Sequence, residues 1–273
     1  LSYVVFFNDL QSALQKRVIK RTLFETQIED IKEVEINKSC EIILSDNQTI
    51  YSQLVAGCDG RNSNVAKIAS LEPLVGDYKQ IAITFTVKCD LEDVDIAHQI
   101  FSEKGIFAIM PLPDHEELST HTIVWSVDKA KILNQAPEDY VNENIAYFEK
   151  KIGANINIFS NILSFNLFNH HFDTYICDST VLIGDAAHSI HPLAGQGINL
   201  GFADADVFCE ELIKAYEKKM LLDKRLILKK YEIRRKNMNY LMLKSMDFFV
   251  DLFRSNNVYI KLLRNIGLTS VNK

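Results

Sequence analysis

The chain has 273 residues, of which 47% are hydrophobic, 24% charged and 10% aromatic. This composition is typical of a folded protein and excludes the disordered, collagen-like and coiled-coil classes. Thirty Lys and Arg against 36 Asp and Glu give a formal net charge of −6. Because no global positive charge attracts a polyanion, we expect no nucleic-acid partner. No apolar run approaches the ~18 residues of a membrane-spanning helix, so we predict no integral membrane segment.

The five cysteines are odd in number and widely separated. They lack the C-x-x-C spacing of zinc and dithiol sites, which favours reduced thiols in a cytoplasmic protein. None of the seven histidines stands in a strong metal-ligand pattern, and we expect no metal site.

The first part of the chain predicts one helix followed by three strands. Asp9 can cap a helix whose apolar residues recur at four-residue spacing. β-rich runs at 33–36, 40–44 and 49–56 follow, and the last of them ends in Gly57-Cys58-Asp59-Gly60.

The middle of the chain predicts an antiparallel sheet. From Ile81 onward apolar and polar residues alternate, which is the period of a strand with one wet face. The stretches 105–112 and 120–127 show the same pattern, and a helix beginning at Pro137 interrupts it. A further strand is expected near 162–168, so we predict an antiparallel layer here.

A buried strand, a glycine-rich loop and helices are predicted for the last third. The apolar run 180–183 is typical of a strand buried on both faces. A long helix is expected at 199–216, followed by two more, the second from Met238 to Phe253. The segment 214–244 holds eleven basic and three acidic residues. It is either a solvated face or a contact for anionic headgroups or a partner.

The densest motif runs from Gly184 to Gly201 and reads GDAAHSIHPLAGQGINLG. The buried strand delivers the Asp185 carboxylate to its carboxyl end, where open α/β sheets bind ligands. A carboxylate there suits a sugar-like hydroxyl. Gly195 and Gly197 let helix-start N–H groups face an electron-rich group. The alternative is that Asp185 caps a short helix and the glycines form a turn. It does not explain why so many small residues occur together in this motif.

This run resembles the ribityl-binding motif of the class A flavoprotein monooxygenases, and its second half resembles their ubiquinone-biosynthesis hydroxylase branch. The resemblance implies that Gly184 and Asp185 hold the ribityl chain of FAD and that the following loop lies along the isoalloxazine ring. The implied loop residues are Pro192, Gly195, Gln196, Gly197, Ile198 and Asn199. His191 and Pro192 are expected to contact the flavin or the substrate. No protein group is expected to act as a catalytic residue, because the flavin carries the chemistry.

The second motif, Val55 to Ser63, also ends a strand in Gly and Asp. By itself Asp59-Gly60 is an ordinary turn. It is similar to the second fingerprint of the same family, which implies that Asp59 and Gly60 lie near the FAD pyrophosphate and serve NAD(P)H. The role of Arg61 stays open.

One feature of that family is absent from the chain. No G-x-G-x-x-G occurs in it, although the family opens with that turn to hold the ADP half of FAD. We therefore expect an opening βαβ unit before Leu1. We also expect these 273 residues to be inactive alone and to bind FAD weakly or not at all.

The resemblance implies an α/β fold, with an FAD/NAD(P)-binding three-layer domain (1–70 and 172–273) and an inserted antiparallel substrate domain (71–171). It implies an FAD-dependent monooxygenase that uses NAD(P)H and O₂ to hydroxylate a polyprenyl phenol in ubiquinone biosynthesis. Other proteins of that pathway are expected partners, and residues 214–253 are expected to contact the inner face of the membrane. Two alternatives stay open: a related flavoprotein reductase or halogenase, and a non-enzymatic truncated fragment unable to hold FAD.

Overall fold

The computed structural model describes residues 4–18, 22–34, 39–93, 95–113, 120–191, 195, 197–218 and 224–254. In chain order the elements are α1 (Phe7–Gln15), β1 (Ile28–Val34), β2 (Ser39–Leu44), β3 (Thr49–Ser52), β4 (Val55–Gly57), α2 (Asn64–Ile68), β5 (Pro73–Cys89), β6 (His98–Ser102), β7 (Gly105–Pro111), β8 (Thr120–Asp128), α3 (Pro137–Ile152), β9 (Ile156–Ile158), β10 (Leu163–Phe172), β11 (Ile176–Cys177), β12 (Thr180–Leu182), β13 (His188–Ser189), α4 (Gly197–Glu217) and α5 (Lys224–Arg254). This mixture of helices and sheets confirms the predicted α/β class.

The chain divides into two compact units. The first, here called the antiparallel unit, comprises 1–22, 78–167 and 252–273. The second, here called the motif unit, comprises 23–77 and 168–251 and contains both predicted motifs.

The antiparallel unit is built on β5, β8, β7 and β6, which pair in that order, with β9 also paired to β5. Alternating burial along β8 confirms the one-sided strand pattern. Helix α3 begins at Pro137 as predicted and ends at Ile152, and Gly153 caps it with a φ of 77°. Phe148 of α3 stacks on Phe107 with ring centroids 4.2 Å apart, and Trp125 is fully buried beside them.

The motif unit contains two small sheets. Strands β1, β2 and β3 form an antiparallel meander. The other sheet has the order β11-β12-β4, in which β4 and β12 run parallel. Val181, Leu182 and Tyr231 are buried in its core. The predicted buried strand at 180–183 is confirmed, because every residue of β12 is buried.

Two predicted elements were wrong in their extent. The expected strand over 49–56 is two strands, because the Ser52 hydroxyl donates to the carbonyl of Leu54 (2.8 Å) and the chain changes sheet there. The two expected final helices are a single helix, α5, over the described residues 224–254.

Smaller differences concern where elements begin. Helix α1 begins at Phe7, so Asp9 lies in its first turn and does not cap it. Strand β1 begins at Ile28, five residues before the predicted start, and residues 35–38 lie outside the described part. Strand β5 begins at Pro73, earlier than the alternation indicated. None of the five cysteines, all of which lie among the described residues, forms a disulfide bond.

Helix α5 buries only some of its apolar side chains. Leu243, Met246 and Val250 are buried, whereas Leu241 and Phe248 are 61% and 62% exposed. Among the described residues, no helix is both long and apolar enough to cross a bilayer.

The basic segment at 214–244 is partly neutralised by acidic neighbours. Arg234 forms ion pairs with Glu210 and Glu211, at 2.6 and 2.5 Å. Lys229 pairs with Glu232 at 2.6 Å. The excess of positive charge counted along the sequence is therefore smaller at the surface of the folded chain.

Candidate functional site

The two sequence motifs lie side by side in the motif unit. Strand β4 pairs with β12 in parallel, with Val55 opposite Thr180 and Gly57 opposite Leu182. The N–H of Ile183 then donates to the carbonyl of Gly57 at 3.0 Å. Because the two strands run in the same direction, both motif aspartates follow the same carboxyl edge of the sheet, where ligands of such sheets bind.

Gly57 lets the elements of this edge pack closely. A Cβ atom at this position would lie 3.0 Å from Cβ of Val65 and 3.1 Å from Cδ2 of Leu182. Any side chain would therefore push α2 away from the strands.

Asp185 lies in a short 3₁₀ turn, Gly184–Ala186, directly after β12. Its side chain is exposed, while Ala186 and Ala187 are fully buried. No side chain caps this turn, and the Asp185 carboxylate has no hydrogen-bond partner among the described residues. The capping alternative for Asp185 is therefore wrong, and the carboxylate is available to a ligand.

The main chain of Asp185 is hydrogen-bonded to the side chain of His170. The Nε2 atom of His170 lies 2.9 Å from its carbonyl oxygen. Because a carbonyl only accepts, the imidazole carries its proton on Nε2 and donates. Burial lowers the pKa of His170 more than its bond to Asp185 raises it, so the ring is neutral near pH 7.

Asp59 makes local contacts instead. One carboxylate oxygen accepts from the Ser63 hydroxyl at 2.6 Å, and the other accepts from the N–H groups of Asn64 and Val65 at 2.7 and 3.1 Å. Asp59 therefore holds the start of α2, where exposed N–H groups favour a carboxylate. Gly60 follows with a φ of 80° and open space on its Cβ side. The predicted role of both residues toward FAD stays a prediction.

The glycine loop is described only in part, since Pro192 and Gln196 lie outside the described residues. Gly195 has a φ of 59°, and a Cβ atom on Gly195 or Gly197 would meet nothing within 4 Å. Helix α4 begins at Gly197, and the side chains of Ile198 and Asn199 are exposed. The first turn of α4, which carries the positive end of the helix dipole, therefore has exposed side chains.

His191 is fully buried. Burial lowers its pKa to about 4, although Asp247 opposes this shift. Its predicted contact with flavin or substrate stays a prediction, because the described ring has no exposed surface.

Sequence reasoning missed a buried polar cluster beside the turn that carries Asp185. Asp204 of α4 is fully buried and is bonded by Gly184, His188, Arg235 and Asn239. Burial opposes its ionisation, but its hydrogen bonds and charged neighbours outweigh burial and lower its pKa. The signal was present in the sequence, since this carboxylate stands four residues before the buried Phe208, on the face that α4 buries.

A cavity of about 420 Å³ lies beside the start of α2 in the motif unit. Its lining includes Arg61, Lys67, Phe168 and His170. The Arg61 guanidinium lies 6.0 Å from the centre of the Phe168 ring. Among the described residues, no group of three metal-ligating side chains converges.

The described residues fit the flavin half of FAD. An exposed carboxylate without a partner follows a buried strand, and the nearby glycines leave open space at the start of α4. Nothing in the sequence corresponds to the glycine turn that holds the ADP half.

Residues 7–244 match the family described as FAD binding domain. The 3-demethoxyubiquinol 3-hydroxylase of Escherichia coli is 31% identical over 236 residues, which cover 85% of this chain and 59% of that protein. The ubiquinone hydroxylase UbiL of Rhodospirillum rubrum is 32% identical over 84% of this chain and 53% of its own length. The chain thus spans little more than half the length of these relatives.

A solved structure shows the same fold. The crystal structure of PqsL from Pseudomonas aeruginosa aligns with a TM-score of 0.74 and 19% identity. The alignment covers 91% of this chain and 69% of PqsL.

Proposed function

The chain belongs to the family of FAD binding domains, and from this premise we propose that it supplies the flavin-facing half of the FAD site of an aromatic-ring hydroxylase. The observation that carries the proposal is the exposed Asp185 carboxylate, which follows a buried parallel strand and has no partner among the described residues. A carboxylate in this position accepts hydroxyl hydrogen bonds, which suits a ribityl chain.

The substrate class we propose is a polyprenyl phenol of ubiquinone biosynthesis. Its support is the likeness to two relatives that are named ubiquinol or ubiquinone hydroxylases. When bound, FAD reduced by NAD(P)H would activate O₂, one atom of which enters the new hydroxyl group while the other leaves as water. The chain's own residues then bind and orient: Asp185 accepts from the ribityl hydroxyls, and the start of α4 directs its dipole at the electron-rich edge of the ring.

The predicted domain assignment is part of this proposal. Residues 1–70 and 172–273 are assigned to FAD binding and residues 71–171 to the substrate. Asp59 and Gly60 are assigned to the pyrophosphate side of the cofactor. For Asp59 this requires a donor between the two groups, such as a water or an N–H of the start of α2, because a carboxylate and a pyrophosphate are both hydrogen-bond acceptors.

The experiment uses the full-length natural protein and the variant Asp185→Ala. We expect FAD binding to weaken at least tenfold, or about 1.4 kcal/mol, with no change in the unfolding of the FAD-free form. The matched control is Asp206→Ala, which removes another exposed carboxylate of the motif unit and is expected to leave FAD affinity unchanged. Equal affinities for the wild type and Asp185→Ala contradict the proposal.

Product analysis tests the reaction. With NADH or NADPH, ¹⁸O₂ and a polyprenyl phenol, we expect one ¹⁸O atom in the new hydroxyl group. A reduced or halogenated product without ¹⁸O would favour the reductase or halogenase alternative.

We also propose that α5 contacts the membrane surface. Its support is one face of the helix, on which Lys230 is followed at helical spacing by Met238, Leu241 and Phe248. These three apolar side chains are 57–62% exposed. We expect the full-length protein to co-sediment with anionic liposomes at low salt, and the variant Leu241→Ser with Phe248→Ser to stay in the supernatant. Equal sedimentation of both would contradict this contact.

A further inference from the structure

We propose that Asp204 is a positioning residue that fixes the turn carrying Asp185 in its ligand-binding orientation; this inference rests on the proposed FAD site. Asp204 lies on α4 and has no exposed surface. One of its oxygens, Oδ2, accepts from the N–H of Gly184 at 3.0 Å and from Nε2 of His188 at 2.6 Å. These two donors lie on either side of Asp185 in the chain. One carboxylate oxygen is therefore hydrogen-bonded to a residue before Asp185 and to a residue after it.

The second oxygen of Asp204 is held by α5. Oδ1 accepts from Nε of Arg235 at 2.6 Å and from Nδ2 of Asn239 at 3.0 Å. Arg235 also donates to the side-chain oxygen of Asn239 at 2.9 Å. The buried negative charge is therefore compensated, and the carboxylate stays ionised and able to accept from all four donors.

The turn is held at a third point by His170, which donates to the carbonyl of Asp185. The turn is thus bonded before Asp185 through the N–H of Gly184, at Asp185 through its carbonyl oxygen and after it through the His188 side chain. Of residues 184–188, only Asp185 is exposed. A side chain presented from a fixed main chain loses less entropy when it binds a ligand. Loosening the turn is expected to weaken ligand binding even though Asp204 lies beneath the surface.

Glu232 offers a matched control, because it is a second buried carboxylate with a purely structural set of contacts. It is 4% exposed and accepts from the N–H of Tyr175 at 2.8 Å and from the hydroxyl of Thr174 at 2.6 Å. Lys229 compensates its charge. Like Asp204, it connects a helix to the sheet, but among the described residues its hydrogen bonds go to Thr174, Tyr175 and Lys229 and not to residues 184–188.

The test compares Asp204→Asn with Glu232→Gln in the full-length protein. FAD dissociation constants are measured by flavin fluorescence, and urea midpoints are measured on the FAD-free forms. We expect both variants to lower the midpoint. We expect Asp204→Asn to weaken FAD binding at least about tenfold and Glu232→Gln to change it less than about twofold. An effect of Asp204→Asn on FAD binding no larger than that of Glu232→Gln overturns the inference.

A second pair of variants decides the question if Asp204→Asn does not fold. Substitutions of His188 leave the contacts of Asp204 with Arg235 and Asn239 in place. His188→Gln keeps a donor near the position of Nε2, whereas His188→Leu removes it. We expect the visible circular dichroism of bound flavin and the FAD affinity to be retained in the Gln variant and altered in the Leu variant. Wild-type values for His188→Leu overturn the positioning role.

The two proposals fail in different ways. If the wild-type full-length protein binds no FAD, the proposed function and this inference fall together. If the wild type binds FAD and Asp185→Ala weakens it, but Asp204→Asn and His188→Leu do not, only the positioning role of Asp204 is lost.

Discussion

Gly184 and Gly201 bring the end of strand β12 and helix α4 into main-chain contact. A Cβ atom on Gly184 would lie 3.3 Å from the Cα of Gly201, and one on Gly201 would lie 3.4 Å from the Cα of Gly184. Because neither residue has a side chain, α4 packs directly on the turn that carries Asp185. Asp204, almost one turn further along α4, then reaches the N–H of Gly184.

This contact predicts an asymmetry between two alanine substitutions. Gly184 has a φ of 63°, so Gly184→Ala should cost about 1–3 kcal/mol of unfolding free energy and weaken FAD binding. Gly201→Ala introduces only an ordinary contact and removes a glycine from a helix, so its unfolding free energy should stay within about 1 kcal/mol of the wild type. Urea unfolding of the two variants measures the difference, and equal losses would contradict the geometry.

Asp59 should contribute to stability, unlike Asp185. Asp59→Ala removes an acceptor for the Ser63 hydroxyl and for two N–H groups at the start of α2, and we expect a loss of about 1–2 kcal/mol. Asp185→Ala should change the unfolding free energy by less than about 0.5 kcal/mol, since the exposed carboxylate has no partner among the described residues. Chemical denaturation of the FAD-free protein tests both. An Asp59→Ala variant with the unfolding free energy of the wild type would show that these contacts do not stabilise the protein.

His171 should make the protein less stable in mild acid. Burial, with His188 and Lys236 nearby, lowers its pKa to about 4, so between that value and its ordinary pKa the unfolded chain binds more protons. The free energy of unfolding therefore falls as the pH drops below about 6.5 and levels off near pH 4. Between pH 7 and pH 5, the free energy of unfolding of His171→Asn should decrease by about 2 kcal/mol less than that of the wild type. A variant with the full wild-type decrease would show that His171 does not titrate in this way.

The aromatic core of the antiparallel unit predicts a large effect of Phe148→Ala. The Phe148 ring is fully buried, stacked on Phe107, and its centroid lies 4.8 Å from that of Trp125. We expect the substitution to cost about 3–5 kcal/mol. Trp125 is the single tryptophan of the chain, so its fluorescence follows this unit. Phe159→Ala, at a ring that is 56% exposed, is the control and should shift the transition by less than about 1 kcal/mol.

Several elements could be predicted because their signal is local. The alternation from Ile81 onward, the proline that begins α3 and the apolar run before Gly184 each depend on neighbouring residues, and each element appears in the structure. Boundaries were less predictable where a hydrogen bond decides them, as at Ser52, whose hydroxyl ends β3 and divides the expected strand.

By itself, the sequence determined the α/β class, the two glycine–aspartate motifs and the family to which they point, since residue type and spacing suffice for these. Only the tertiary structure decided which aspartate is hydrogen-bonded and which has no partner among the described residues. Asp59 and Asp185 each follow a strand along the chain. Asp59 accepts hydrogen bonds from the start of a helix, whereas the Asp185 side chain is exposed to solvent. The structure also decided the contacts of Asp204, whose partners on α5 are 31 and 35 residues away. Such contacts form only when the chain folds, because they depend on which helix faces are buried together.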